Sequence, residues 1–133
     1  MKIKIAVHEN ESPIEVTDIT RLNEVIYSAS EEARAEGLLS IIFLEAENGN
    51  NLSLVVGGNE TVLGFNYGHK DPPYYASKGK EENEDPVLTA FVALHHHTEF
   101  PRNWVIPMKE GILALHEFFK TGELPGCIEW TDV

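Results

Sequence analysis

Three short apolar runs between Leu38 and Tyr67, divided by two tight turn signals, constrain this chain more than any other feature. Residues 38–45 lead into Glu47-Asn48-Gly49-Asn50, residues 51–56 lead into Gly57-Gly58-Asn59, and residues 60–67 follow at once. Each run has the length of a strand, and Asn-Gly and Gly-Gly pairs supply the positive backbone angles that tight hairpin turns require. Strands joined so briefly pair antiparallel, so the middle of the chain predicts a meander. A half-buried strand precedes it, with Ile3, Ile5 and Val7 on one side and Lys2, Lys4 and Ala6 on the other. Pro72-Pro73 ends the run and starts a short edge strand at Tyr74-Tyr75-Ala76. Residues 87–94 return as a strand, and Cys127-Ile128-Glu129-Trp130 closes the sheet.

Helices flank the meander. Asp18 can cap a helix whose apolar positions Ile19, Leu22, Ile26, Ala29 and Ala33 recur every three or four residues, with Gly37 just past its end. Pro107 suits the first position of a second helix, in which Met108, Ile112, Leu115 and Phe119 form the stripe. Lys120 favours the last turn, Gly122 the cap, and Pro125 bars continuation. Gly111 inside this helix costs roughly 1 kcal/mol against Ala, which points to close packing on a strand. Together these signals predict an α+β fold, a mostly antiparallel sheet with two helices packed on one face. With 133 residues, one domain spanning 1–133 is expected, long enough to hold a core without covalent staples.

Charge narrows the function. Twenty-two Asp and Glu against ten Lys and Arg leave a net charge of −12. That field repels phosphate backbones and anionic lipid, so neither nucleic acid nor a membrane is expected as a direct partner. A basic protein fits better. Cys127 is the only cysteine, which excludes an internal disulfide, and its apolar surroundings in sequence suggest a buried, inert thiol. Polar His8-Glu9-Asn10 arrives too early for a signal-peptide core, and the longest apolar stretch, residues 38–44, is too short to span a bilayer. A soluble, cytoplasmic protein is expected.

No catalytic constellation emerges from the motifs. In a strand His95 and His97 share a face and could chelate a metal with His69, His116 or Glu99, yet no HExxH spacing accompanies them. A polar surface or interface cluster is the simpler reading. Gly57-Gly58-Asn59 is too short to cradle phosphate, and no GxSxG elbow occurs. The acidic run Glu81, Glu82, Glu84 and Asp85 lacks apolar neighbours that would raise a carboxyl pKa. The chain reads as a binder with no metal and no cofactor. Trp104, between Pro101 and Pro107, is either an interface anchor or a lid over a small core.

From Leu52 to Trp130 the order of signals resembles the bacterial polymorphic-toxin immunity family numbered one. The matching pieces are Leu54-Val55-Val56-Gly57-Gly58, Val62-Leu63, Tyr74-Tyr75-Ala76-Ser77, Thr98-Glu99-Phe100-Pro101 and Val105-Ile106-Pro107. Phe118-Phe119-Lys120-Thr121-Gly122-Glu123-Leu124-Pro125 and the closing Trp130 complete them. The resemblance implies an α+β immunity protein that neutralises a cognate secreted toxin, typically of the nucleic-acid deaminase superfamily, by occluding its substrate groove or active site. Gly57, Gly58, Phe119, Gly122, Pro125 and Trp130 read as turns, core and helix cap, so they support the fold more than the site. The expected partner contacts are Asp71, Tyr74, Tyr75, Glu81, Glu82, Glu84 and Asp85, with His95, His97 and Trp104 second to them. An acidic adaptor without a toxin partner is the alternative.

Overall fold

The structure, a computed structural model, describes residues 2–7, 12–70, 73–80, 88–92 and 96–133. In chain order the elements are β1 (Ile3–Ala6), β2 (Ile14–Val16), α1 (Ile19–Ala35), β3 (Ser40–Ala46), β4 (Asn51–Val56), β5 (Glu60–Thr61) and β6 (Leu63–Asn66). They continue as β7 (Tyr74–Ser77), β8 (Leu88–Val92), β9 (His96–Phe100), a 3-10 turn at Arg102–Trp104, β10 (Ile106–Pro107), α2 (Met108–Thr121) and β11 (Trp130–Asp132).

The expected meander forms, with strand order β11-β7-β6-β4-β3-β1-β2 and antiparallel pairing throughout that path. Its centre is β3. One edge of β3 pairs with β4 from Ser40↔Val56 to Glu45↔Asn51. The other edge is divided: β1 takes residues 43–46 antiparallel, and β8 takes Ser40 and Ile41 in parallel. Of the strand expected at residues 87–94, Leu88–Val92 is described as β8, and it joins as the parallel member with β9 beside it.

Alternation then sorts the side chains. Ile42 and Leu44 of β3, Leu52, Leu54 and Val56 of β4, and Leu63 and Phe65 of β6 face both helices, where Leu22, Val25, Ile26 and Ala29 of α1 meet Ala114, Leu115, Phe118 and Phe119 of α2. On the opposite face Ile41, Val55 and Val62 build a second, smaller core with Leu88, Ala90 and Val105. Both helices thus lie on one face, joined directly where His116 Nε2 meets Asn23 Oδ1 at 2.8 Å.

The Asp18 and Gly122 caps act as the sequence predicts. Asp18 is extended and its carboxylate accepts from the Arg21 N–H at 2.9 Å. Gly122 ends α2 in the left-handed region at φ 69°, and its N–H donates to Phe118 O. Gly111 is packed against the sheet: a Cβ there would sit 2.5 Å from Thr61 Cγ2 and 3.2 Å from Leu63 Cδ1.

Five expectations need correction. Tyr74–Ser77 is not an edge strand, because β11 pairs beyond it, from Trp130↔Ser77 to Asp132↔Tyr75. Residues 60–67 do not form one strand. Val62 turns into the second core, which separates β5, paired with β10, from β6. Ile19 is exposed, and Val25 takes its place in the α1 stripe, so that stripe begins one turn later. Pro107 occupies the N-cap rather than the first helical position. The closing strand starts only at Trp130, which leaves Cys127 exposed instead of buried.

Two substitutions test this packing. Phe119→Ala should cost about 3–5 kcal/mol in a two-state denaturant titration, because its ring fills the inter-layer core. Gly111→Ala should also destabilise, although an unpacked helix would gain roughly 1 kcal/mol from that change. A stabilised Gly111→Ala variant would mean that α2 stands off the sheet.

Candidate partner-binding surface

Of the residues expected at the interface, Tyr74, Tyr75 and Trp104 have described side chains, and β7 and the 3-10 turn set where they point. Adjacent strand residues face opposite ways. Tyr75 pairs in register with Phe65 and turns toward the helix layer, where its ring lies 6.4 Å from Tyr67, edge to face. Tyr67 in turn meets Phe65 at 5.0 Å, and Phe65 meets Phe118 at 6.1 Å. Tyr75 is thus the outer member of a core aromatic row. Tyr74 pairs with Asn66 on the other face and is exposed.

Trp104 is half-buried. Its ring tilts onto Phe100 with centroids 6.3 Å apart and packs on the second core, while its carbonyl accepts from Ser77 Oγ at 2.7 Å. Those contacts make it a lid over that core. Beside it Arg102 forms a two-pronged pair with Glu60, Nη1 to Oε1 at 3.0 Å and Nη2 to Oε2 at 2.5 Å. This fork closes one wall of a groove of about 540 Å³ that also borders Lys78, Lys80, Glu110 and Glu129. His97 lies in β9 opposite Phe91. Asp71, Glu81, Glu82, Glu84, Asp85 and His95 lie outside the described residues.

Cys127 borders the same groove. Loss of surrounding water, then the nearby Glu117 carboxylate, push its thiol above the ordinary range. It stays protonated near neutrality and is a weak nucleophile, despite its exposure. Among the described residues, no three His, Cys, Asp or Glu side chains gather closely enough to hold a metal ion. No helix among them is long and apolar enough to cross a membrane.

Against known protein families, a match to "Immunity protein Imm1" covers residues 10–132. The chain belongs to the Imm1 immunity protein family. A comparison with curated proteins gives no match.

The residues that carried the Imm1 resemblance hold structural posts. Gly57 has φ 113°, and a Cβ there would press to 2.9 Å from Leu38 O. Trp130 packs on the main core and donates from Nε1 to Pro125 O at 2.7 Å. Phe119 is buried between the layers. In this Imm1 chain sequence reasoning passed over two exposed aromatics, Tyr27 of α1 and Phe43. Phe43 occupies an outward position of β3, between the core residues Ile42 and Leu44. An aromatic at the solvent phase of an otherwise alternating strand was the available signal.

His116 yields a pH prediction. Partial burial, then the Lys120 ammonium, hold its pKa below the ordinary 6.5. On acidification the unfolded chain takes up this proton first, so the stability is complete above about 6.5 and falls as pH drops toward the lowered folded value. Melting temperatures between about pH 7.5 and 5.5 should fall less steeply for His116→Gln than for the wild type. Parallel curves would remove His116 from the acid response.

Proposed function

We propose that this Imm1 protein binds and neutralises a cognate secreted toxin in the cytoplasm of the producing cell, without catalysis of its own. In this reading the toxin is a nucleic-acid deaminase, and the protein occludes its substrate groove. The family match over residues 10–132 is the observation that carries the proposal. The net charge of −12 supports the kind of partner. An enzyme that acts on nucleic acid must present cations to phosphates, and an acidic protein is drawn to those same cations. Division of labour follows from physical chemistry: the carboxylates of the run Glu81, Glu82, Glu84 and Asp85 steer the encounter, and exposed aromatic surface such as Tyr74 slows release.

The test uses the toxin domain encoded in the reading frame beside this chain's gene. Its deamination of DNA and RNA oligonucleotides should stop when one equivalent of the protein is added. Activity that persists in excess protein would overturn the proposal. Replacing Glu81, Glu82 and Glu84 by Gln and Asp85 by Asn takes the net charge from −12 to −8, four carboxylates fewer. Stopped-flow association should slow and lose part of its salt dependence, while dissociation changes little, since rim charges are screened within about 8 Å at physiological ionic strength. Association rates unchanged at low salt would place the steering charges elsewhere.

A further inference from the structure

The sheet face opposite the helices is covered at one end and open at the other. Ile41, Val55 and Val62 lie beneath the second core. One step further along the strands, the in-register row on that face is Ala6, Phe43, Ser53, Gly64 and Ala76, of which Ala76 is buried. The row after it is Lys4, Glu45, Asn51, Asn66 and Tyr74. Phe43 and Tyr74 are each 43% exposed and belong to neither core cluster. Between them the surface falls to Ser53 and Gly64, both only partly covered.

That sequence of side chains is unusual for a face turned only to water. Glycine inside an interior strand weakens the strand and often marks close approach by another molecule. Gly64 sits between β4 and β7, and its φ lies outside the left-handed region, so the backbone does not require glycine there. Among the described residues the one close contact a Cβ would meet is Ser53 Oγ at 2.7 Å, so the hydroxyl must turn aside to admit a side chain. Phe43 is likewise an aromatic held 43% exposed on a strand paired on both edges, and among the described residues it is not part of either core.

Resting on the toxin-binding reading above, the geometry points to this open face as the seat of the cognate toxin, with a convex, cationic element of the toxin lying along the strands over Ser53 and Gly64. Phe43 and Tyr74 stand three strand spacings apart, about 14 Å across the strands, which admits an α-helix of about 10–12 Å diameter or a hairpin. The charges select the partner's sign. At the end of the trough Lys4 lies in register between Glu15 and Glu45, Lys2 reaches Glu15 at 3.9 Å, and the Lys2 N–H donates to Glu47. Carboxylates outnumber amines there, on a protein whose net charge is −12. The aromatics supply contacts that must be desolvated before they hold, so they govern release rather than encounter.

Biolayer interferometry with the adjacent-frame toxin domain, disabled in its active site, tests the assignment. Phe43→Ala and Tyr74→Ala should each raise the dissociation rate at least ten-fold, and Ser53→Arg should abolish binding by placing a long cation on the trough floor. Tyr27→Ala and Leu113→Ala, at exposed positions of the helix layer, should leave both rates within two-fold. Circular dichroism melts establish that each variant is folded, and Ser53→Arg decides alone if Phe43→Ala is not. Wild-type binding with none of the three face variants impaired overturns the assignment and leaves the toxin-binding reading intact. A wild-type chain that does not bind the toxin domain overturns that reading, and the assignment with it. Sedimentation that shows a dimer broken by Phe43→Ala, with toxin binding unaltered, gives the face to a second copy and also overturns the assignment.

Discussion

Every layer of this protein is registered on β3. Its six-residue pairing with β4 fixes one edge, and the other edge is shared between an antiparallel β1 and a parallel β8. Because a one-residue slip would exchange the faces, the positions of Ile42 and Leu44 decide where both helices pack. The same alternation sends Ile41 into the second core and Phe43 out to solvent. One strand thus sets two cores and the open face together. Changing its register would lose all three.

Asn50 locks the far end of that frame. Fully buried, it donates from Nδ2 to Gly122 O at 2.8 Å and to Glu123 Oε2 at 3.1 Å, and its Oδ1 accepts from the Gly68 N–H at 2.9 Å. Asn48 adds a bond to the same Gly122 carbonyl at 3.1 Å. A carbonyl left over at the helix end, which has no partner within the helix, is satisfied by the β3–β4 turn. This is why Asn occupies that turn beyond its tolerance of unusual backbone angles. A buried amide with its partners removed would cost more than the bonds themselves contribute.

Much of this was legible in sequence, where the signal is local. Caps, turns and stripes recur over a few residues, so Asp18, Gly122, the Gly111 contact and the β3–β4–β6 meander could all be read directly. What stayed hidden depends on distant partners. The Tyr74–Ser77 strand looked like an edge because nothing nearby announces that residues 130–132 will pair beyond it. Ile14 and Val16 make a strand of three residues, too short for alternation to register, and it exists through pairing with β1. The candidate site was half legible for the same reason. Alternation alone says that Tyr74 and Tyr75 diverge, but only the register with Asn66 and Phe65 says which of them faces the core.

The described ion pairs add little to the stability of the fold. The described pairs Lys2–Glu15, Arg21–Glu24 and Arg34–Glu31 have both partners substantially exposed, and pairs of that kind contribute ~0–1 kcal/mol. Arg102–Glu60 is better shielded and two-pronged, yet it is one pair, and it serves to fasten the 3-10 turn to β5. None of these offsets the self-repulsion of twelve excess negative charges. A net field of this sign accelerates approach to an oppositely charged surface and discourages self-association. Such a field does not discriminate among basic partners. Selectivity must come from contacts whose fit is local, which need exposed apolar groups on a rigid support. On the proposed reading the sheet face is the candidate for both, since Phe43 stands 43% exposed on β3, a strand paired on both edges.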